Sequence, residues 1–200
     1  MITVYVGAFD DDFNFVQTHI TMPTDEDSIK KAFHEIGVDI ENSGDYVVKS
    51  FRSAHEEINR RLNKSDSILE VNTLARALSE MDVLERDKLN AACVLRNCGG
   101  VDEILHLAAN LDDYDYLPAD SDEALGEFEL ETGRWDIPDG LMDYIDCAKL
   151  GRETRLRQGG MYMGMGYIYE IPAEVAGKDT PQDYGAPGYT DESEDEEWER

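Results

Sequence analysis

Alternating apolar and polar positions dominate the first fifty residues. The stretches 2–9 ("ITVYVGAF") and 13–21 ("FNFVQTHIT") are rich in β-branched and aromatic residues, and they predict a hairpin around the acidic turn "DDD". The stretch 46–51 ("YVVKSF") predicts a third strand of the same kind. Together with one helix, these strands predict a small sheet domain over residues 1–53.

Helical periodicity appears in two places. In "TDEDSIKKAFHEIG", Thr24 can cap a helix, acids fill its first turn and Gly37 ends it. Over residues 54–109, "LERDKLNAACVLRNCGG" and "VDEILHLAANL" predict short helices in a compact bundle. The helix before them keeps a 3.6-residue period of apolar side chains at Ile68, Val71, Leu74, Ala75, Leu78 and Met81.

The stretch 110–171 combines both kinds of pattern. "GEFELETG" alternates strictly, which predicts a half-buried strand with Phe128 and Leu130 on its inner face. "NLDDYDYLPADSDE" before it predicts an ordered turn that leads into a helical or loop segment. "IPDGLMDYIDCAKLG" predicts one helix, and "GMYMGMGYIYEI" predicts a closing strand whose glycines allow close backbone approach.

The distribution of charge changes this picture most. The formal net charge is −27, and successive blocks of fifty residues carry −7, 0, −13 and −7. Residues 110–131 alone hold nine carboxylates and no lysine or arginine. Residues 172–200 are poor in apolar side chains and end in "DESEDEEWER", so we predict a disordered acidic tail there.

The composition excludes several classes of function. A chain this acidic repels nucleic acids and anionic membranes, and favours a cationic partner such as a basic groove or metal ions. No apolar run reaches the roughly eighteen residues that a membrane span needs, and the start of the chain resembles no signal peptide. Cys93, Cys98 and Cys147 have no zinc-type spacing, so we interpret them as reduced thiols of a cytoplasmic protein.

Catalytic and metal sites are not favoured by the remaining motifs. The four histidines are scattered, and none stands at ligand spacing from another. "DDFNFVQ" and "DDYDYLPADSDE" are similar to calcium loops but lack the glycine and the bidentate glutamate at the required offsets. Acid pairs could serve hydrolysis, yet no nucleophile motif or phosphate loop accompanies them. We therefore expect no enzyme activity, no cofactor and no dedicated metal site.

The spacing of the acids indicates another use. On the predicted strand, Glu127, Glu129 and Glu131 would stand about 7 Å apart, which is of the same order as the separation of DNA phosphates. On the predicted helix, the four aspartates at 136, 139, 143 and 146 would form a ridge. A solvated polar face explains most such rows. Acids near the C-terminal end of a helix oppose its dipole, however, which indicates a function that needs the charge.

Two motifs carry a family resemblance. "IPDGLMDYIDCAKLGRE" (137–153) resembles the I-P-x-x-L-x-x-Y-I-D-x-x-x-x-G-R segment of the ArdA family of antirestriction proteins. "DEALGEFELE" (122–131), with "NLDDYDYLP" before it, resembles the acidic antirestriction motif of that family. "EVNTLARAL" and "GMYMGMGYI" match weaker features in the right order, so the resemblance covers about residues 2–170. Cys147 departs from the family by replacing an aromatic residue, and the acidic tail extends beyond the family core.

The resemblance implies a fold and a partner. Members of the family are elongated α+β homodimers of mobile elements or phages. Each chain has three small domains, here 1–53, 54–109 and 110–171. Their carboxylates imitate the phosphates of bent B-DNA and block the DNA-binding groove of type I restriction-modification enzymes, at the methyltransferase and specificity subunits. An acidic adaptor or chaperone for another basic DNA-binding protein is the alternative. The predicted partner-binding carboxylates are Asp112, Asp113, Asp115, Asp120, Asp122, Glu123, Glu127, Glu129, Glu131, Asp136, Asp139, Asp143 and Asp146.

Overall fold

A computed structural model describes residues 1–172 except 11, 41–43, 134, 136 and 165, and it describes Asp139 and Asp143 by their backbone alone. The described chain contains seven α-helices and two three-stranded antiparallel sheets, so the predicted α+β class is confirmed. Beyond its first residue, the predicted acidic tail 172–200 lies outside the described residues. Within the described part of the chain, every helix is too short or too polar to cross a membrane.

The first sheet has β1 (Ile2–Phe9) at its centre, between β2 (Phe15–Met22) and β3 (Val47–Ser53). Both neighbours pair antiparallel with β1. Because side chains alternate across a strand, one face of β1 is buried: Ile2, Val4, Val6 and Ala8 are at most 2% exposed. The predicted hairpin and third strand are confirmed.

The first helix, α1 (Glu26–Glu35), covers the inner face of this sheet. Its buried side chains are Ile29 and Phe33. The cap is Asp25 rather than Thr24, since the Asp25 carboxylate accepts a hydrogen bond of 2.8 Å from the Ser28 backbone N–H. That bond lowers the pKa of Asp25. A carboxylate also complements the positive end of the helix dipole, which a hydroxyl cannot do as well.

Four helices follow: α2 (Glu56–Arg61), α3 (Ile68–Glu80), α4 (Val83–Leu95) and α5 (Val101–Ala109). The predicted helical bundle is confirmed, and the apolar face predicted for α3 is buried from Ile68 to Leu78. Asn72 on α3 exchanges two hydrogen bonds of 2.9 Å with the backbone of Thr24. Buried residues before and after residue 53, the predicted boundary between the first two domains, belong to one hydrophobic core. The division into three domains stays a prediction.

The last part of the described chain holds α6 (Asp122–Glu131), α7 (Cys147–Gln158) and the second sheet. In this sheet β6 (Gly166–Glu170) lies between β4 (Tyr114–Leu117) and β5 (Met161–Met163). The single closing strand predicted for "GMYMGMGYIYEI" is therefore two strands, with Gly164 at φ +61° between them.

The strand predicted for "GEFELETG" is wrong, because residues 126–131 belong to helix α6 and the last two residues form a turn after it. Ser121 caps the helix by accepting a hydrogen bond from the Ala124 N–H, and two acids fill the first turn. Six alternating residues satisfy a strand pattern, but they also fit a helix whose buried positions are Leu125, Gly126 and Glu129. Glu127, Glu129 and Glu131 consequently do not share a face.

The single helix predicted for "IPDGLMDYIDCAKLG" is also wrong. A 3₁₀ helix covers Asp139–Tyr144, extended backbone follows, and α7 begins at Cys147. Asp146 caps α7 by accepting a hydrogen bond of 2.9 Å from the Lys149 N–H. It therefore stands at the favourable end of a helix, and the predicted four-acid helical ridge does not form. At this end the carboxylate of Asp146 complements the helix dipole and does not oppose it.

Candidate binding surface

Two glycines allow α6 and α7 to touch backbone to backbone. A Cβ atom at Gly126 would overlap the carbonyl oxygen of Cys147, and one at Gly151 would overlap the carbonyl oxygen of Asp122. Any larger residue at either position would push the helices apart. The contact fixes the position and rotation of α6 on its support, and with it the direction in which the acids of α6 point.

Asp122 forms ion pairs across the same contact between α6 and α7. Its carboxylate accepts hydrogen bonds of 2.9 Å from Arg155 Nε, 3.4 Å from Arg152 Nε and 2.8 Å from the Tyr162 hydroxyl. These donors stabilise the charged form and lower the pKa of Asp122 to about 2. Asp122 thus joins the start of α6 to α7 and to β5. Its charge is neutralised by Arg152 and Arg155 of the same chain.

Three glutamates lie on the opposite side of α6. Glu123, Glu127 and Glu131 are separated by four residues each, so they follow one row along the helix, and all three are exposed. We call them the acidic ridge. Among the described residues, no ion pair involves any of the three. The ridge is a solvent-facing row of negative charge that forms no ion pair with the part of the chain that the structure describes.

The linear charge of the ridge compares with that of DNA. Four residues of α-helix rise about 6 Å, so the ridge carries one charge per about 6 Å of its axis. One strand of B-DNA carries one charge per about 3.4 Å of axis. A single ridge therefore reaches about half the linear charge of a DNA strand, and flanking acids can raise this value.

The other predicted carboxylates differ in their exposure. Asp112 and Asp113 are exposed in a 3₁₀ turn (Leu111–Asp113), and Asp120 is exposed just before α6. Asp115 is half-buried and accepts a hydrogen bond of 3.0 Å from the Tyr169 hydroxyl. Glu129 is 2% exposed and faces the interior. Asp136 and the side chains of Asp139 and Asp143 lie outside the described residues.

Two of the predicted acids, Asp122 and Glu129, contribute to the fold, because one is paired and the other is buried. Burial raises the pKa of Tyr167 to about 12, and the nearby carboxylate of Glu129 adds to this shift. Arg155 and Tyr162 hold Asp122. Sequence reasoning treated Asp122 and Glu129 as surface charges and missed the groups that surround them. One signal was present: the glycines in "EALGEFE" and "AKLGRET" interrupt helical patterns, as glycines do where helices pack closely.

Among the described residues, no cluster of three or more His, Cys, Asp or Glu side chains could hold a metal ion. The fold and surface define a class: an α+β protein that presents an exposed anionic helix face, suited to binding cationic groups. A family model described as antirestriction protein (ArdA) matches residues 14–169. The chain belongs to this family of antirestriction proteins. A comparison with curated proteins found no matching sequence.

Proposed function

We propose that this antirestriction protein blocks type I restriction-modification enzymes by occupying their DNA-binding groove in place of DNA. Membership of the ArdA family supports the antirestriction function, and the surface supports the mode of action. The observation that carries the proposal is the acidic ridge, because it is exposed and has no ion-pair partner among the described residues. A groove that binds phosphates offers lysine and arginine side chains to such a row.

The rigid support of α6 strengthens this proposal. Gly126 and Gly151 allow α6 to pack directly against α7. The ion pair between Asp122 and Arg155 connects the first turn of α6 to α7. The backbone that carries the ridge is thus already ordered before binding, so less conformational entropy is lost in the complex. The net charge of −27 adds long-range attraction towards a basic groove and accelerates encounter.

The proposed surface extends beyond the ridge. Asp112, Asp113 and Asp120 are exposed acids of the same predicted set, and they bring negative charge to the segment before α6. Asp122 and Glu129 are excluded from direct contact in this proposal, because one is held by Arg155 and the other is buried. They support the surface instead of forming it.

A homodimer belongs to the same proposal. The 3₁₀ helix before α7 exposes three large apolar side chains: Leu141 is 55% exposed, Met142 38% and Tyr144 85%. Such a patch is costly in water and suits an interface with a second copy. Sedimentation of the wild type and of a Leu141→Ser, Tyr144→Ser variant tests this point. A wild type that is monomeric at micromolar concentration would contradict the dimer.

The decisive experiment is a DNA-protection assay with a purified type I restriction enzyme, titrated with this protein. Protection should be competitive with DNA, and binding to the methyltransferase–specificity complex should be displaced by DNA. Binding should also weaken steeply as salt is added. Capture that excess DNA does not displace would instead support an adaptor for another surface of a basic protein. An affinity that is independent of salt would contradict phosphate mimicry.

A further inference from the structure

The C-terminal end of α4 brings two cysteines together. After α4 the backbone turns through Asn97, at φ +48°. The Cys98 N–H donates to the Cys93 carbonyl at 3.1 Å, and the Asn97 N–H donates to the Val94 carbonyl at 3.0 Å. This pair of bonds is a Schellman motif, in which the side chains of the two outer residues pack against each other. Here those residues are Cys93 and Cys98.

The separation of the two backbones is compatible with a covalent bond. The 3.1 Å hydrogen bond and the standard lengths of the backbone limit the separation of the two Cα atoms to about 7 Å. Disulfides span Cα separations of roughly 4.4 to 6.8 Å. The neighbouring thiol is the largest cause both of the raised pKa of Cys93 and of the lowered pKa of Cys98. Both cysteines are free thiols in the structure.

A positive charge lies beside the pair. Arg61 Nη1 donates a hydrogen bond of 2.7 Å to the Cys98 carbonyl oxygen. Its buried Nε has no hydrogen-bond partner among the described residues. After the Cys93 thiol, the guanidinium also lowers the pKa of Cys98, while burial and Glu103 act in the opposite direction. A thiolate next to a cation is the reactive form of cysteine.

Cys98 is only 5% exposed, so access to the pair depends on a neighbouring cavity. Cys98 lines a cavity of about 340 Å³, and three exposed residues, Arg96, Glu103 and His106, line the same cavity. Cys93 does not line it and is fully buried behind Cys98. A small oxidant that enters the cavity therefore reaches Cys98 before Cys93.

We propose that Cys93 and Cys98 are an oxidisable dithiol, which a hydroperoxide closes to an intramolecular disulfide. The Cys98 thiolate attacks the peroxide, the O–O bond breaks, and Cys98 becomes a sulfenic acid while the alkoxide or hydroxide leaves. Cys93 sulfur then attacks Cys98 sulfur, the S–O bond breaks, and the sulfenic oxygen leaves as water with the Cys93 proton. Two thiols lose two electrons and the peroxide gains them.

The test is a count of thiols in the full chain after treatment of the folded protein with hydrogen peroxide. The reduced chain holds three thiols, Cys93, Cys98 and Cys147. Oxidation should leave one, lower the mass by two hydrogen atoms and link the peptides that carry Cys93 and Cys98. A reductant should restore all three thiols. The oxidised protein should also unfold at a higher temperature, because the bond constrains the unfolded chain.

Three serine variants assign the roles. Cys147→Ser should still form the disulfide and retain no thiol. Cys93→Ser should stop at a sulfenic acid on Cys98, which a dione reagent traps, whereas Cys98→Ser should leave Cys93 unmodified. Three thiols remaining under conditions that oxidise free cysteine, or a disulfide that includes Cys147, would overturn the proposal. Because these readouts need no restriction enzyme, they are independent of the proposed antirestriction mechanism.

Discussion

Removing the charge of the acidic ridge is the sharpest test of the proposed mechanism. The variant carries Glu123→Gln, Glu127→Gln and Glu131→Gln, so each site loses one charge and keeps its length and hydrogen-bonding capacity. All three side chains are exposed and make no ion pair among the described residues. Each substitution should therefore change the free energy of unfolding by no more than about 0.5 kcal/mol. A loss of inhibition then reports on binding and not on folding.

The size of the effect follows from the exposure of the ridge. An ion pair at the surface contributes about 0.5 kcal/mol, so three such pairs with a basic groove contribute about 1.5 kcal/mol. This value corresponds to about a tenfold rise in the dissociation constant of the enzyme complex. Each single substitution should weaken binding only about twofold. The difference between variant and wild type should shrink at high salt, where the Debye length falls to about 3 Å.

The assay measures DNA cleavage by the type I enzyme against inhibitor concentration. A matched control carries Glu35→Gln, Glu80→Gln and Asp87→Asn, three exposed acids on other helices. Both variants change the net charge of −27 to −24, by three units each. Equal losses in the two variants would show that only net charge matters. No loss in the ridge variant would refute the ridge as a contact surface.

Three further predictions concern the support of the ridge. Gly151→Ala should lower the free energy of unfolding in urea by about 1–3 kcal/mol, because its Cβ would strike the Asp122 carbonyl. Asp122→Asn should remove a contribution to stability of the order of 1 kcal/mol at neutral pH. The folded pKa of Asp122, about 2, is below its unfolded value of 3.8. This contribution is therefore full above pH 4 and disappears as the pH falls through 2. Unfolding curves recorded at each pH would show this loss. Asp146→Ala should cost about 1 kcal/mol of stability by loss of its cap, which unfolding in urea would measure.

Local patterns predicted the fold where several signals agreed. β1 and α3 combined a clear period with suitable propensities, and both formed where their patterns placed them. The segment that became α6 carried conflicting signals, because its alternation indicated a strand while its cap, acidic first turn and glycine fitted a helix. Its burial against α7 depends on Gly151, which lies 25 residues after Gly126, and no local pattern shows such a contact.

The candidate surface was predictable as a region and not as a set of residues. Charge counts located the acidity at 110–131 from composition alone. They could not show that Asp122 is neutralised by Arg155, since those two residues lie far apart in the chain. They also could not separate Glu129 from Glu127, because this distinction depends on the rotation of a helix that was predicted as a strand.

The separation of acids into two roles explains how so much charge can be arranged on one helix. An exposed row of like charges destabilises its own helix, by a few tenths of a kcal/mol for each pair four residues apart. In α6 this cost is opposed at the other face, where Asp122 binds Arg155 and the glycine contact holds the helix against α7. The ion-paired Asp122 therefore stabilises the helix that displays the exposed acids of the ridge. Losing Asp122 should weaken inhibition only by loosening α6, whereas losing the ridge should weaken it with the fold intact.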